Sequence, residues 1–132
     1  MTKKIDRNDE EWQELLTPSQ FQICRKKATE RPFTGKYYDC KTKGIYHCVC
    51  CDSPLFDSSS KYDSGSGWPS FWDTLDADAI DSVTDSSLGM QRTEILCSDC
   101  GSHLGHVFND GPKPTGLRYC INSESLDLKT GE

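Results

Sequence analysis

Cys48-Val49-Cys50-Cys51 and Cys97-Ser98-Asp99-Cys100 are the stretches that decide how this chain folds. Each holds a Cys-x-x-Cys pair, Cys48/Cys51 and Cys97/Cys100, and the two pairs stand far apart in a chain of 132 residues. A Cys-x-x-Cys turn brings two thiolates together at low conformational cost, and a Zn²⁺ ion takes four such ligands in a tetrahedron. Two matched turns complete one structural site. His103 follows the second pair closely and is the alternative fourth ligand, in a Cys₃His set. Eight cysteines could also form four disulfides, but paired Cys-x-x-Cys turns without a secretion signal read better as metal ligands in a reducing compartment. A redox dithiol in one of the pairs fits poorly, since neither follows a βαβ pattern.

Working outward, the length suits one domain, and a hydrophobic content of 34% suits a modest aromatic core reinforced by metal. A formal charge of −6 with scattered Lys and Arg argues against nucleic acid as a partner. Met1 to Arg7 leads straight into charge with no apolar run, so neither signal peptide nor membrane span is expected. The expectation is a cytoplasmic monomer, organellar if a targeting peptide has been removed.

Asn8-Asp9-Glu10-Glu11 and Thr17-Pro18-Ser19-Gln20 have capping-box character and predict two short helices. Trp12, Leu15 and Leu16 would form the apolar stripe of the first, and Phe21, Cys24 and Ala28 that of the second. After Pro32, glycines and prolines punctuate short runs, as in a β-rich domain. Strands are expected around Ile45–Cys48, Ala79–Thr84, Met90–Leu96, His103–Phe108, Leu117–Asn122 and Ser125–Leu128, with Lys129–Glu132 fraying. The chain divides into a helical segment, 1–31, packed on a zinc-stapled β domain, 32–128.

Alternation along a strand puts Arg118, Cys120 and Asn122 on one face and Leu117, Tyr119 and Ile121 on the other. A guanidinium beside a thiol raises its thiolate fraction, so Cys120 is a candidate reactive thiol; the other reading is a buried structural cysteine. His103 and His106, two of three histidines, fall in one short segment and are candidates to orient or protonate a substrate. Gly65-Ser66-Gly67-Trp68-Pro69-Ser70-Phe71-Trp72 concentrates aromatic surface in a Gly-rich turn that could hold Trp68 at a pocket wall, with Phe71 or Trp72 in the core. A zinc-stapled binding module, with Trp68 in a recognition pocket and Cys120 inert, is the rival reading.

Three segments carry a resemblance: Lys61 to Phe71, Cys100 to Phe108 and Gly116 to Ser123, interleaved with both Cys-x-x-Cys pairs. Together with Thr29 to Gly35 they resemble the B-type methionine sulfoxide reductases over nearly the whole chain. The resemblance implies a mainly β fold, two antiparallel sheets forming an open barrel with short N-terminal helices and a structural zinc away from the active site. It implies thiol-dependent reduction of methionine-R-sulfoxide in oxidised proteins and peptides, an oxidative-stress repair, with thioredoxin or another thiol as reductant. It also implies Cys120 as nucleophile, Trp68 as the wall receiving the substrate methyl, His103, His106 and Asn122 around the sulfoxide oxygen, and Arg118 and Asp110 as neighbours organising the cleft.

Here the chain departs from a common family pattern. Many members carry a resolving cysteine where this sequence has Ser66, and serine cannot form a disulfide. Of the remaining cysteines, Cys50 lies between metal ligands, Cys24 falls on an apolar helical stripe, and Cys40 lies in a turn with lysines nearby. Cys40 is thus the first candidate resolving thiol and Cys24 the second. Direct reduction by thioredoxin or a small thiol is the alternative.

Overall fold

The structure, a computed structural model, describes residues 8–76, 78–86 and 92–130. It opens with α1 (Asp9–Leu15) and α2 (Pro18–Lys26). Both start at the boxes read from the sequence. Glu11 N donates to Asn8 Oδ1 at 2.9 Å and Asn8 N to Glu11 Oε1 at 3.0 Å, and Thr17 and Gln20 repeat the exchange. Trp12 and Leu16, one turn apart, are buried, whereas Leu15 is 57% exposed, because so short a helix buries one narrow stripe. Lys27 ends α2 in the left-handed region, φ 63°.

The strands are β1 (Ile45–Cys48), β2 (Pro54–Asp57), β3 (Lys61–Tyr62), β4 (Ser70–Phe71), β5 (Ile80–Asp85), β6 (Arg92–Cys97), β7 (His103–Phe108), β8 (Arg118–Ile121) and β9 (Leu126–Lys129). They form two antiparallel sheets, β2-β1-β9 and β3-β4-β8-β7-β6-β5, and neither closes on itself among the described residues. Six strands fall within two residues of their expected places. Met90 and Gln91, expected in β6, lie outside the described residues. Lys129, expected to fray, pairs with Ile45. β2, β3 and β4 had no counterpart in the sequence reading. The first begins at a proline, and the other two are two-residue ladders inside Gly/Ser-rich turns, too short for alternation to register.

Aromatic side chains hold the sheets face to face. Tyr46 and Phe56 of the small sheet meet Phe71 of the large one at 5.2 and 4.4 Å between ring centroids, and Phe56 lies 5.8 Å from Tyr119. Tyr46, Phe56 and Phe71 are fully buried, so truncating any one to Ala would cost about 3–5 kcal/mol. Gly105 lets β8 close on β7: a Cβ there would sit 2.0 Å from the Cys120 carbonyl oxygen.

The register also arranges the opposite face of the large sheet. Residues paired directly across strands share a face, and one such row runs Tyr62, Ser70, Cys120, His106, Glu94, Val83. The segment after α2 borders that row. Lys27 reaches Glu94 at 3.3 Å, Glu30 N bonds Asn122 Oδ1 at 3.1 Å, and Phe33 N bonds the Gly67 carbonyl at 2.7 Å.

Candidate active site and metal centre

Cys120 stands at the middle of the polar row, its side chain half-buried. Three side chains approach its sulfur: Arg118 Nη1 at 3.3 Å, Ser66 Oγ at 3.4 Å and Ser70 Oγ at 4.0 Å. Arg118 is itself held from two sides. Its Nε and Nη2 donate to the two Asp110 carboxylate oxygens at 2.8 and 3.1 Å, and its guanidinium lies 4.5 Å from the Phe108 ring centre. The Asp110 bonds, with help from the Cys120 sulfur, raise Arg118 further above its usual range against the opposing effect of burial. The same bonds lower the Asp110 carboxyl.

On the other flank, His106 pairs with Cys120 across β7 and β8, and its ring lies 5.6 Å from that of His103. His103 is buried, and its Nδ1 lies 2.7 Å from Glu94 Oε2. A carboxylate only accepts, so Nδ1 carries the hydrogen and Nε2 is the lone-pair nitrogen of the neutral ring. That Nε2 is buried with no hydrogen-bond partner. Burial holds the His103 ring below its ordinary pKa, outweighing Glu94, which favours the cation.

Trp68 follows the Ser66 turn, its N donating to Ser66 Oγ at 3.4 Å. Its Nε1 donates to the Glu30 carbonyl at 2.9 Å, and the turn beneath it depends on Gly67, φ 94°, where a Cβ would meet Pro32 Cβ at 2.6 Å. Asn122 lies nearby but is engaged at both ends of its amide, accepting from Glu30 N at 3.1 Å and donating to the Leu104 carbonyl at 3.1 Å. A cleft of about 380 Å³ lined by Tyr62, Ser64, Ser66, Asp110 and Arg118 opens beside these groups.

The two Cys-x-x-Cys turns are built alike. Cys48 N donates to the Ser53 carbonyl at 2.8 Å and Asp52 N to the Cys48 carbonyl at 2.8 Å; Cys97 N and Gly101 N repeat this on Ser102 and Cys97 at 2.9 and 2.8 Å. Asp52 and Gly101, the equivalent residues, both take the left-handed conformation, φ 68° and 77°. The result is a knuckle at the end of β1 facing one at the end of β6. The four Sγ atoms lie within 4.8 Å of one another, with Cys48–Cys100 and Cys51–Cys97 each at 3.6 Å. They are positioned to hold a metal ion. Hydrogen bonds from Cys100, Cys48 and Cys97 hold the Cys51 thiol below its ordinary range, while Cys48, Cys97 and Cys100 are raised. His103 is turned to Glu94 and is not among the four.

With this geometry in view, comparisons with known proteins are decisive. The SelR domain family model matches residues 16–130. The chain belongs to the SelR domain family. It is 61% identical over 125 residues to the peptide methionine sulfoxide reductase MsrB of Pseudomonas savastanoi pv. phaseolicola, covering 95% of each chain. It is 59% identical over 127 residues to the protein of that name from Pseudomonas entomophila, covering 96% of this chain and 97% of that one. Saccharophagus degradans has another, 59% identical over 129 residues, covering 98% and 94%.

Within this SelR domain, the residues expected at the site gather around Cys120 in two flanks: Arg118, Asp110 and Trp68 lie toward the Ser66 turn, and His103 and His106 toward β6. The candidate resolving thiols are not brought to it. Cys40 lies beside Thr42, Tyr46 and Lys61, lining a cavity of about 1050 Å³ that shares Tyr62 and Asp63 with the cleft beside Arg118. Tyr46 belongs to the layer between the sheets. Burial pushes the Cys40 thiol up, but hydrogen bonds from Thr42 and Tyr46 outweigh it and leave it lowered. Cys24 is buried against Ser125 and Cys50 at the metal end. Sequence reasoning gave no role to Glu94, which no local motif marks, or to Ser64 and Ser70, although both lie in the Lys61 to Phe71 segment that carries the resemblance.

No helix among the described residues is long and apolar enough to cross a membrane.

Proposed function

We propose that the chain is a peptide-methionine (R)-S-oxide reductase in which Cys120 is the redox thiol. One observation carries the assignment of that residue: a half-exposed cysteine sulfur with a guanidinium donor at 3.3 Å, on a strand whose register puts an imidazole beside it. Arginine can only donate, so the contact is made best with a thiolate. The thiolate attacks the sulfoxide sulfur while His106 hands a proton to the oxygen, and the new S–S bond then breaks as the oxygen passes from the methionine sulfur to Cys120. Methionine leaves, and Cys120 retains the oxygen as sulfenic acid. Trp68 receives the substrate methyl and so favours the R epimer. Asp110 positions Arg118; Asn122 positions the strand and the Glu30 segment.

Arg118, Ser66 and Ser70 surround the Cys120 sulfur, and neither Cys40 nor Cys24 is among these contacts, so an external thiol resolves the sulfenic acid. One thiol displaces water to give a mixed disulfide, and a second releases Cys120; a dithiol such as thioredoxin supplies both. The four knuckle cysteines fit zinc. Thiolates about 2.3 Å from Zn²⁺ stand about 3.8 Å apart at the corners of a tetrahedron, close to the two 3.6 Å separations in the cluster. Bound there, the ion supplies structural cross-linking. We read the chain as one domain, a helical segment at 1–31 packed on a stapled β unit at 32–128, with the two sheets as an open barrel. Monomeric action in the cytoplasm, which keeps such thiols reduced, completes the reading.

The test is a single-turnover assay of the reduced, desalted protein with separated epimers of a methionine sulfoxide peptide, counting free thiols before and after. Methionine from the R epimer alone, with loss of one thiol and a trappable sulfenic acid, is expected. Methionine from neither epimer overturns the activity, and loss of two thiols overturns external resolution.

A further inference from the structure

Around the Cys120 sulfur runs a closed ring of hydroxyl contacts that the steps above leave unused. Ser66 Oγ, 3.4 Å from Cys120 Sγ, lies 2.8 Å from Ser64 Oγ, which lies 2.7 Å from Ser70 Oγ, itself 4.0 Å from the sulfur. Each hydroxyl has one hydrogen and two acceptor positions. Fixed donors take up part of that capacity: Ser66 N donates to Ser64 Oγ at 3.3 Å and Trp68 N to Ser66 Oγ at 3.4 Å. At the far end, Ser70 Oγ can donate to the Trp68 carbonyl at 3.1 Å.

Counting hydrogens gives two arrangements. With a hydrogen on sulfur, the donors run Cys120 to Ser66 to Ser64 to Ser70 to the Trp68 carbonyl. With a bare thiolate, the three arrows between sulfur and hydroxyls reverse: Ser66 donates to sulfur, Ser64 to Ser66, and Ser70 to Ser64, and the Trp68 carbonyl gives up its donor. In neither arrangement does any hydroxyl exceed its capacity. Ser64 and Ser66 also line the cleft beside Arg118, so the middle of the chain of hydroxyls meets solvent while Ser70 is fully buried.

We propose that Ser66 and Ser64, with Ser70 holding Ser64 in place, form a reversible proton wire to Cys120, which delivers the proton needed when an incoming thiol reduces the Cys120 sulfenic acid. This rests on the reading of Cys120 as the redox thiol. A sulfenic acid hydroxyl both donates and accepts, and a serine hydroxyl can match it in either sense, whereas a guanidinium can only donate. In the step itself a thiolate attacks the Cys120 sulfur, the new S–S bond forms, and the S–O bond breaks. The departing oxygen takes a proton from Ser66, which is refilled through Ser64 from water in the cleft, and leaves as water. The thiol sulfur is oxidised to the disulfide level, and the sulfenic sulfur is reduced to it. His106 pairs with Cys120 from the opposite strand, so the two proton transfers of the cycle use opposite flanks.

The experiment compares Ser64→Ala, which cuts the wire while leaving the Ser66 contact, with Ser66→Ala and the hydroxyl-retaining Ser66→Thr. Metal content and melting temperature serve as fold controls. Methionine formation is timed in a single turnover, and reduction of the sulfenic acid by dithiothreitol is timed separately in H₂O and D₂O. The sulfenic acid is made both with the R-sulfoxide peptide and with stoichiometric hydrogen peroxide. Ser64→Ala and Ser66→Ala are expected to slow the reduction at least about ten-fold more than they slow methionine formation, and to abolish a solvent isotope effect present in the parent. Ser66→Thr should keep both. Equal slowing of the two steps, or an unchanged isotope effect in Ser64→Ala, overturns the wire. A parent that makes no methionine, but whose peroxide-made sulfenic acid shows the Ser64 dependence, overturns the substrate reading and leaves the wire standing.

Discussion

Five thiols of this chain sit in two settings that share a chemistry and differ in their neighbours. At the knuckles, four sulfurs face one another within 4.8 Å, and matched backbone hydrogen bonds hold the turns that carry them. At β8, one sulfur faces a guanidinium and two hydroxyls with no second thiol at hand. The first arrangement is positioned to hold a cation and leaves no sulfur free for a substrate. The second stabilises charge with groups that can let go of it, which turnover requires. Where a cysteine's neighbours are other cysteines it staples; where they are donors of protons and positive charge it reacts.

The sharpest way to break this comparison is at the staple. Cys97→Ser removes one of four ligands, and structural zinc contributes on the order of 10 kcal/mol of folding free energy in small domains. The variant should lose its metal and its cooperative melting transition. If it keeps both, the four-cysteine assignment is wrong. Cys120→Ser tests the other setting, with the opposite pattern expected. Methionine formation should fall at least about a thousand-fold, while metal content and melting temperature stay at the parent's values. A Cys120→Ser protein that melts early would place this sulfur with the structural thiols after all.

A smaller effect separates the charge beside Cys120 from its mere presence. Arg118→Ala removes the donor to sulfur and the partner of Asp110 together and should slow single-turnover methionine formation about a hundred-fold. Arg118→Lys should recover little of this, because an ammonium cannot span both Asp110 oxygens and the sulfur in one plane. Full recovery in the lysine variant would mean that the charge alone matters.

How far the sequence foretold each setting depends on the distance over which its parts interact. The knuckles were legible because each is local, four residues whose spacing makes the turn. The helix starts at Asn8 and Thr17 were legible for the same reason, and so was the face shared by Arg118 and Cys120, two residues apart on one strand. Glu94, Ser70 and Tyr62 join the same row only through pairings between distant strands, and nothing within their own segments states that register. Asn122 shows the same limit from the other side. Its amide spans Glu30 and Leu104, partners that adjacency in the chain does not reveal. Cys40, in its lysine-rich turn, lines a cavity that shares Tyr62 and Asp63 with the cleft beside Arg118, a neighbourhood its own segment does not state.

The smallest expected effect lies in the pH dependence of stability and concerns the histidine behind the reactive face. Burial lowers the pKa of His103 from 6.5, against hydrogen bonding and charge from Glu94, while His106 and Lys27 add to the lowering. Below about pH 6.5 the unfolded chain takes up a proton that the folded ring refuses, so the unfolded state binds more protons and stability falls with pH. The contribution is present in full above that pH and is lost as pH falls toward the folded value, at about 1.4 kcal/mol per unit of separation. Glu30 acts in the opposite sense, since burial raises its carboxyl above 4.5 and its contribution is lost as pH rises from there. Urea midpoints of the parent and His103→Gln at several pH values isolate the histidine: the parent should lose stability relative to the variant as pH falls below 6.5. Glu94→Gln then sharpens the argument. It removes the group that favours the imidazolium, so the pH window should widen; if it narrows, the carboxylate rather than burial sets the charge of that ring, and the reactive flank beside Cys120 is backed by an ion pair instead of a neutral imidazole.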